Sequence, residues 1–254
     1  MAVVKDKGIC IRAMDYSESS QLLTFFTHAG GKVSVIAKGS RRVTKSAVSG
    51  TIEICSAGDM VYAIKEGQKL GTLTEFNPTF FSSGIRKKLL AINCGFFAAE
   101  LLNMFTQEYD AHPKLFDEAI VFLKKIDENP DNKAPAFLII FQFDLLTYTG
   151  SLPVTDMCAN CKRKFNTASK QYFFSVSGGG FVCRDCESAY VDKKIVSLET
   201  AVCLNNPLKS VDASSSALIQ TEQLLIDYIT YVLERRPKTA QMVLQLMNTL
   251  TDTD

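Results

Sequence analysis

An excess of charge of either sign is missing from this sequence: 28 Lys and Arg stand against 27 Asp and Glu over 254 residues. The molecule as a whole has no field strong enough to select a partner, so any electrostatic signal must be local. Long hydrophobic runs are missing too. The strongest one, Leu89 to Ala99, ends at Glu100, well short of the ~18 apolar residues of a membrane-crossing helix. Lys5, Asp6 and Lys7 break up the first residues, so no export signal is expected there, and the expectation is a soluble, cytoplasmic protein with no membrane partner. Histidine is limited to His28 and His112, and there is no His-Glu-x-x-His pair. A nucleotide phosphate loop, a dinucleotide fingerprint and a serine nucleophile elbow are also absent. No familiar enzyme class remains, and no catalytic residue is assigned. There is no internal repeat and no low-complexity stretch.

The residues that are present are 46% apolar, enough for two or three units each with its own core. From Val3 to about Phe76 the chain offers short β-like runs, among them Leu22–Thr27, Lys32–Lys38, Thr51–Cys55, Met60–Ile64 and Leu70–Phe76. Gly30-Gly31 and Glu66-Gly67 lie where hairpins need positive φ. So many strands in so short a span predict a small β-barrel of the class that includes OB-folds. After Asn77-Pro78 the apolar period lengthens. Ile85, Leu89, Ile92, Phe96, Ala99 and Phe105 mark the expected buried face of a first helix. A second follows Pro113, with Leu115, Phe116, Ala119, Ile120 and Leu123 inward, and a third opens at Pro135 and stops at Gly150. Ser197 starts a short helix, Ser214–Ser216 cap a longer one, Pro237 interrupts it, and Met242–Leu250 supply a last apolar face. The expected class is α+β multidomain. It has an OB-fold barrel over 1–78, an α-helical domain over 79–152 and 193–254, and a cysteine-bearing insert over 153–192.

Eight cysteines fall into two groups. Cys10, Cys55, Cys94 and Cys203 stand alone among apolar residues, as small buried side chains do. Cys158-Ala159-Asn160-Cys161 and Cys183-Arg184-Asp185-Cys186 are two Cys-x-x-Cys pairs separated by 21 residues, close to the spacing of a four-cysteine zinc ribbon. Each short spacer presents two thiolates to one ion, and Gly178-Gly179-Gly180 gives the chain freedom to turn before the second pair. Lys162, Arg163, Lys164 and Arg184 lie beside the thiolates. Four protein ligands leave no open position for water, so one structural zinc per chain is expected. A redox dithiol would call for one such motif beside a βαβ pattern, and unmetallated cysteines are the remaining alternative.

The second local signal runs from Ser19 until Glu53 without an acidic residue and includes Lys32, Lys38, Arg41, Arg42 and Lys45. A phosphate backbone would meet no local repulsion there, although such a stretch also suits a solvated loop. Tyr16, Phe25, Phe26 and Tyr62 are available either for stacking on bases or for the barrel core.

Taken in order, several segments resemble the RecO family of bacterial recombination mediators and strand-annealing DNA-repair proteins. They are Gly8-Ile9, Tyr16-Ser17-Glu18, Leu22-Leu23, Phe26-Thr27, Gly31-Lys32, Ala37-Lys38-Gly39-Ser40-Arg41-Arg42, Pro153, the glycines before the second cysteine pair, and Arg235-Arg236-Pro237-Lys238-Thr239. The resemblance covers essentially the full chain. It implies an OB-fold that binds single- and double-stranded DNA, a helical region carrying an inserted zinc ribbon, and a nucleoid-associated bacterial protein. It also implies work with RecR, often RecF, and single-strand-binding protein to load RecA on gapped DNA, with a site for the acidic tail of single-strand-binding protein in the helical region. Lys162 departs from the family, which often has glycine after the first cysteine pair. A zinc-ribbon adaptor in transcription or translation is the alternative function, and a thiol oxidoreductase is the alternative from the enzyme class.

Overall fold

Alternation along Gln21–Thr27 (β2) and Gly31–Ala37 (β3) sends Leu23, Phe25, Val33, Val35 and Ala37 to one side, where all are fully buried. With β1 (Ala2–Asp15), β4 (Ala57–Ile64) and β5 (Leu70–Phe80) these strands form a ring in a computed structural model that describes residues 2–40, 50–65, 67–80, 84–131, 133–167 and 171–249. β1 pairs antiparallel with β2 and β4, β2 with β3, and β4 with β5. A parallel pairing from Ser34↔Leu70 to Ala37↔Leu73 closes the ring in the order β1-β2-β3-β5-β4, which is OB-type connectivity. A bulge between Cys10 and Arg12 lets the long β1 bend and serve both neighbours. The interior holds Cys10, Met60, Tyr62, Leu73 and Phe76 beside the β2 and β3 side chains. Each fully buried Phe or Leu there contributes about 1.5–3 kcal/mol.

Gly31 has φ 68, and a Cβ on it would meet the Asp110 carbonyl oxygen at 2.3 Å, so both turn and packing require glycine. Asp6, in the middle of β1, completes this turn by accepting from the backbone N–H of Gly30 at 2.9 Å and of Ala29 at 3.1 Å.

Thr51–Cys55 does not form the expected strand. Gln21, 2% exposed, takes the place of a partner strand: its Nε2 donates to the Ile52 carbonyl at 3.0 Å and its Oε1 accepts from the Ile52 N–H at 3.0 Å. Cys55 then turns with φ 71. β5 also runs on through Asn77-Pro78 to Phe80.

The first helix, α1 (Leu89–Phe105), buries Leu90, Ala91, Cys94, Phe97, Ala98, Leu101 and Leu102 with the expected Ala99, while Leu89 and Phe96 are 62% and 40% exposed. The inward face is therefore rotated from the expected one, because a helix apolar nearly all round gives periodicity little to choose between. α2 (Pro113–Glu128) matches expectation more closely, burying Leu115, Phe116, Ala119 and Leu123 along with Phe122 and Ile126. Phe116 lies 6.0 Å, centroid to centroid, from Phe26 on the outer side of β2.

By internal contacts the chain divides into two compact units, Met1–Lys88 with Gly95–Glu128, and Leu89–Cys94 with Asn129–Asp254. In the second, α3 (Ala134–Tyr148) is buried on nearly every side and ends in a Schellman motif. Gly150 takes φ 71, the Ser151 N–H donates to the Leu146 carbonyl at 2.8 Å, and the Gly150 N–H to that of Thr147 at 3.2 Å. α3 packs against α5 (Ser215–Val232), which also contacts α4 (Leu198–Asn205) and α6 (Ala240–Asn248). Ser197 and Ser214 cap α4 and α5 by accepting from the backbone N–H groups of Thr200 and Ala217.

Between α3 and α5 is a buried polar pair. Gln142 Nε2 lies 2.8 Å from both carboxyl oxygens of Glu222, and both residues are fully buried. Burial pushes the Glu222 carboxyl up to about 8, against the opposing effect of the Gln142 hydrogen bond. The same unit carries a small sheet, β6 (Tyr172–Ser175), β7 (Gly180–Val182) and β8 (Lys194–Val196), in the order β7-β6-β8. Among the described residues no helix is long and apolar enough to cross a membrane.

Candidate metal centre and nucleic-acid interface

The first cysteine pair sits on a tight loop. Cys158 N–H donates to the Arg163 carbonyl at 2.7 Å, and Lys162 N–H donates back to the Cys158 carbonyl at 3.0 Å. This closure puts Lys162 at φ 62, the left-handed region that glycine enters most easily, and its ammonium reaches the Ala159 carbonyl at 2.9 Å. The second pair follows β7 directly, with Cys186 N–H donating to the Cys183 carbonyl at 3.0 Å. Two strand-like contacts bring the loops together: Phe181 N–H to the Val154 carbonyl at 2.8 Å, and Ala159 N–H to the Phe181 carbonyl at 2.7 Å. Gly180 permits this approach, since a Cβ on it would lie 2.1 Å from the Val154 carbonyl oxygen. Asp192 holds the preceding turn, accepting from the Ser175 hydroxyl at 2.7 Å and the Ser177 N–H at 2.8 Å. These donors, with two more bonds from Ser177 Oγ and its own backbone, outweigh the effect of burial and hold the Asp192 carboxyl down at about 2.

The four sulfurs of Cys158, Cys161, Cys183 and Cys186 all lie within 4.8 Å of one another, and those of Cys161 and Cys183 are 3.6 Å apart. Tetrahedral zinc with bonds of ~2.3 Å separates its sulfurs by roughly 3.8 Å, so the set fits that ion. Local electrostatics point the same way. Burial works against ionising Cys158, but the peptide N–H groups of Cys161, Cys183 and Asn160 outweigh it and hold that thiol down at about 6. Cys183 N–H donates to the Cys158 sulfur at 3.3 Å. Cys183 is itself pushed up to about 12 by burial and by hydrogen bonds with the neighbouring thiols. The backbone favours ionisation of Cys158, and a bound cation would favour it in the neighbouring thiols as well. Of the surrounding charges, Arg163 is paired with Asp185 at 2.7 Å. The lone cysteines Cys10, Cys55, Cys94 and Cys203 are all buried, away from this cluster.

The basic stretch divides. Lys32 points its ammonium at the C-terminal end of α1, donating to the carbonyls of Asn103 at 2.7 Å and Thr106 at 2.8 Å, where it offsets the negative helix end. Burial lowers its pKa, opposed by nearby Glu108. Lys38 is exposed in the turn after β3. Arg41, Arg42 and Lys45 lie outside the described residues. On the near side of that segment, Ser40 Oγ donates to Gln21 Oε1 at 3.1 Å. On the far side Ile52 binds the same amide, so Gln21 holds both flanks. Nothing in the sequence distinguishes Gln21 from an ordinary strand residue. Of the aromatics, Phe25, Phe26 and Tyr62 are core, whereas Tyr16 is 62% exposed between β1 and β2.

The chain thus belongs to the class that combines a five-stranded OB-type ring with helices carrying a cluster of four cysteines able to hold one metal ion. Residues 1–80 match the family model described as Recombination protein O N terminal, and residues 86–241 match Recombination protein O C terminal. The chain belongs to the RecO family. It is 30% identical over 179 residues to the DNA repair protein RecO of Rhodopirellula baltica, covering 70% of this chain and 65% of that protein, so it spans just under two thirds of that relative. To the DNA repair protein RecO of Bacillus subtilis it is 29% identical over 184 residues, 72% of this chain and 69% of that one. With that of Alkaliphilus metalliredigens the identity is 26% over 237 residues, 92% of each chain.

Proposed function

We propose that this chain is a DNA repair and recombination mediator in the bacterial cytoplasm, associated with the nucleoid. In this reading it binds single- and double-stranded DNA and anneals complementary strands. With RecR and RecF it helps load RecA onto DNA coated by single-strand-binding protein. The observation that carries the reading is the OB-type ring whose β3 leads into an exposed lysine and an acid-free segment, Lys38 with Arg41, Arg42 and Lys45. Phosphate neutralisation there releases counterions whatever the bases are, so binding is weakly selective for sequence. Lys32 belongs to the same basic stretch and anchors it to α1. Holding two strands on one cationic surface raises their local concentration and screens their repulsion, and no bond has to be broken. The sequence has no phosphate loop, so annealing needs no nucleotide.

Zinc is the ion assigned to Cys158, Cys161, Cys183 and Cys186, with a structural role: all four positions are thiolates, and none is left for a reacting water. The test of function is annealing of naked complementary strands at low salt, with and without ATP. Acceleration independent of ATP supports the mediator. The spontaneous rate, or a requirement for ATP, favours the zinc-ribbon adaptor, in which the ribbon itself is the contact surface. Deleting the acidic tail of single-strand-binding protein should remove most of the acceleration on coated strands and none on naked ones.

A further inference from the structure

The cysteine ribbon has more aromatic surface than a metal site requires. Phe165, four residues after Cys161, stacks on Phe181 with ring centroids 5.2 Å apart and planes at 12°, and meets Tyr172 at 5.4 Å and 40°. Phe181 and Tyr172 are almost fully buried, while Phe165 is half-buried. What those two rings leave uncovered of Phe165 lines a cavity of about 290 Å³. Lys164, Gln171 and Arg184 also line it and are exposed. Neither Lys164 nor Arg184 has a carboxylate partner among the described residues, in contrast to Arg163 with Asp185. Lys162, Arg163, Lys164 and Arg184 face Asp185 and the two net negative charges of a zinc tetrathiolate, which leaves one positive charge over.

We infer that this cavity is a second nucleic-acid site, in which one unstacked base of a single strand lies against Phe165 while Lys164 and Arg184 hold its flanking phosphates. A cavity of this size admits a base only after it has left a duplex, which selects single strands. Any base presents a π-face to Phe165, so sequence preference is weak, with Gln171 placed to meet a base edge. With two phosphate contacts against three at the ring, the site draws more of its affinity from stacking and somewhat less from charge. The inference rests on the DNA-binding reading above and extends it, because an annealing protein with two separate strand sites can hold two strands at once.

The test uses full-length, zinc-loaded protein and an oligo-dT carrying one 5-iododeoxyuridine, irradiated and mapped by mass spectrometry. Cross-links in the peptide spanning Phe165 to Tyr172 are expected. Phe165→Leu, which keeps apolar bulk but cannot stack, should lose them with zinc content unchanged, and oligonucleotide affinity should fall about tenfold. The exposed pair Lys164→Ala with Arg184→Ala leaves the ribbon interior alone and should lower the log–log salt slope by about 1.4. Cross-links confined to the ring, or both variants binding as the parent does, would overturn this site and leave the ring reading standing. Cross-links displaced by an acidic peptide that leaves oligonucleotide affinity intact would make the cavity a protein-docking site instead. A parent protein that cross-links nowhere would sink both readings.

Discussion

The five-stranded ring and the cysteine ribbon hold their shapes by opposite means. The ring buries Leu23, Phe25, Val33, Val35, Met60 and their neighbours, enough apolar surface to define its register without help. The ribbon's core consists of Cys158, Phe173 and Val182, with Cys183, Cys186 and Tyr190 packed at its edge. Half of that cluster is cysteine, so in the zinc reading proposed above the ribbon's stability is tied to an ion, while the ring's is tied to packing. A loop carried by the ring should then tolerate chelators, and a surface carried by the ribbon should not.

The largest expected effect separates the two directly. Removing the metal, by strong chelator, acid or Cys183→Ser, should unfold the ribbon, since structural zinc sites contribute on the order of 10 kcal/mol of apparent binding free energy at neutral pH. Limited proteolysis should then cut within residues 153–192 while the ring stays protected, and elemental analysis should fall from one zinc per chain to none. Next in size, Phe25→Ala in the ring should cost about 3–5 kcal/mol in denaturant unfolding through lost burial and a cavity, with zinc content unchanged.

A third effect belongs to neither region. Glu222 is fully buried and its carboxyl is raised to about 8 in the folded state. The unfolded carboxyl titrates near 4.5, so folding favours the protonated form, and stability should fall as pH rises from that value through about 8. At roughly 1.4 kcal/mol per unit this reaches a few kcal/mol at most. Glu222→Gln should therefore raise the urea midpoint at pH 9, leave it nearly unchanged at pH 5, and flatten the profile between. Smallest, Lys162→Gly relieves a left-handed lysine at the first cysteine loop and should stabilise the metal-loaded ribbon by about 1 kcal/mol, read as slower zinc release to a chelator.

How far the sequence disclosed each region follows from the same contrast. Cysteine spacing is legible because ligand chemistry fixes which residues can meet at one ion. Ring strands are legible where period-two burial is strict, as in β2 and β3. Thr51–Cys55 looks like a strand because Ile52 and Ile54 alternate with polar residues, yet the backbone of Ile52 is met by a glutamine side chain 31 positions away. The inward face of α1 was hidden by an apolar surround, although Asn93, Glu100 and Asn103, none of them buried, trace the outer face together with Leu89 and Phe96. Lys32 shows the limit for charge. Its partners are main-chain carbonyls at Asn103 and Thr106, and no pattern of side chains near it announces them.

The central claim, that the ring's basic segment is the DNA contact, is tested most directly by the salt dependence of single-stranded DNA affinity. Parent protein is compared with Lys38→Ala, Arg41→Ala and Arg42→Ala combined, both folded and zinc-loaded. Loss of three phosphate contacts predicts a log–log slope shallower by about 2, at ~0.7 for each contact. An unchanged slope in the folded triple variant would contradict the claim and move the DNA contact off the ring.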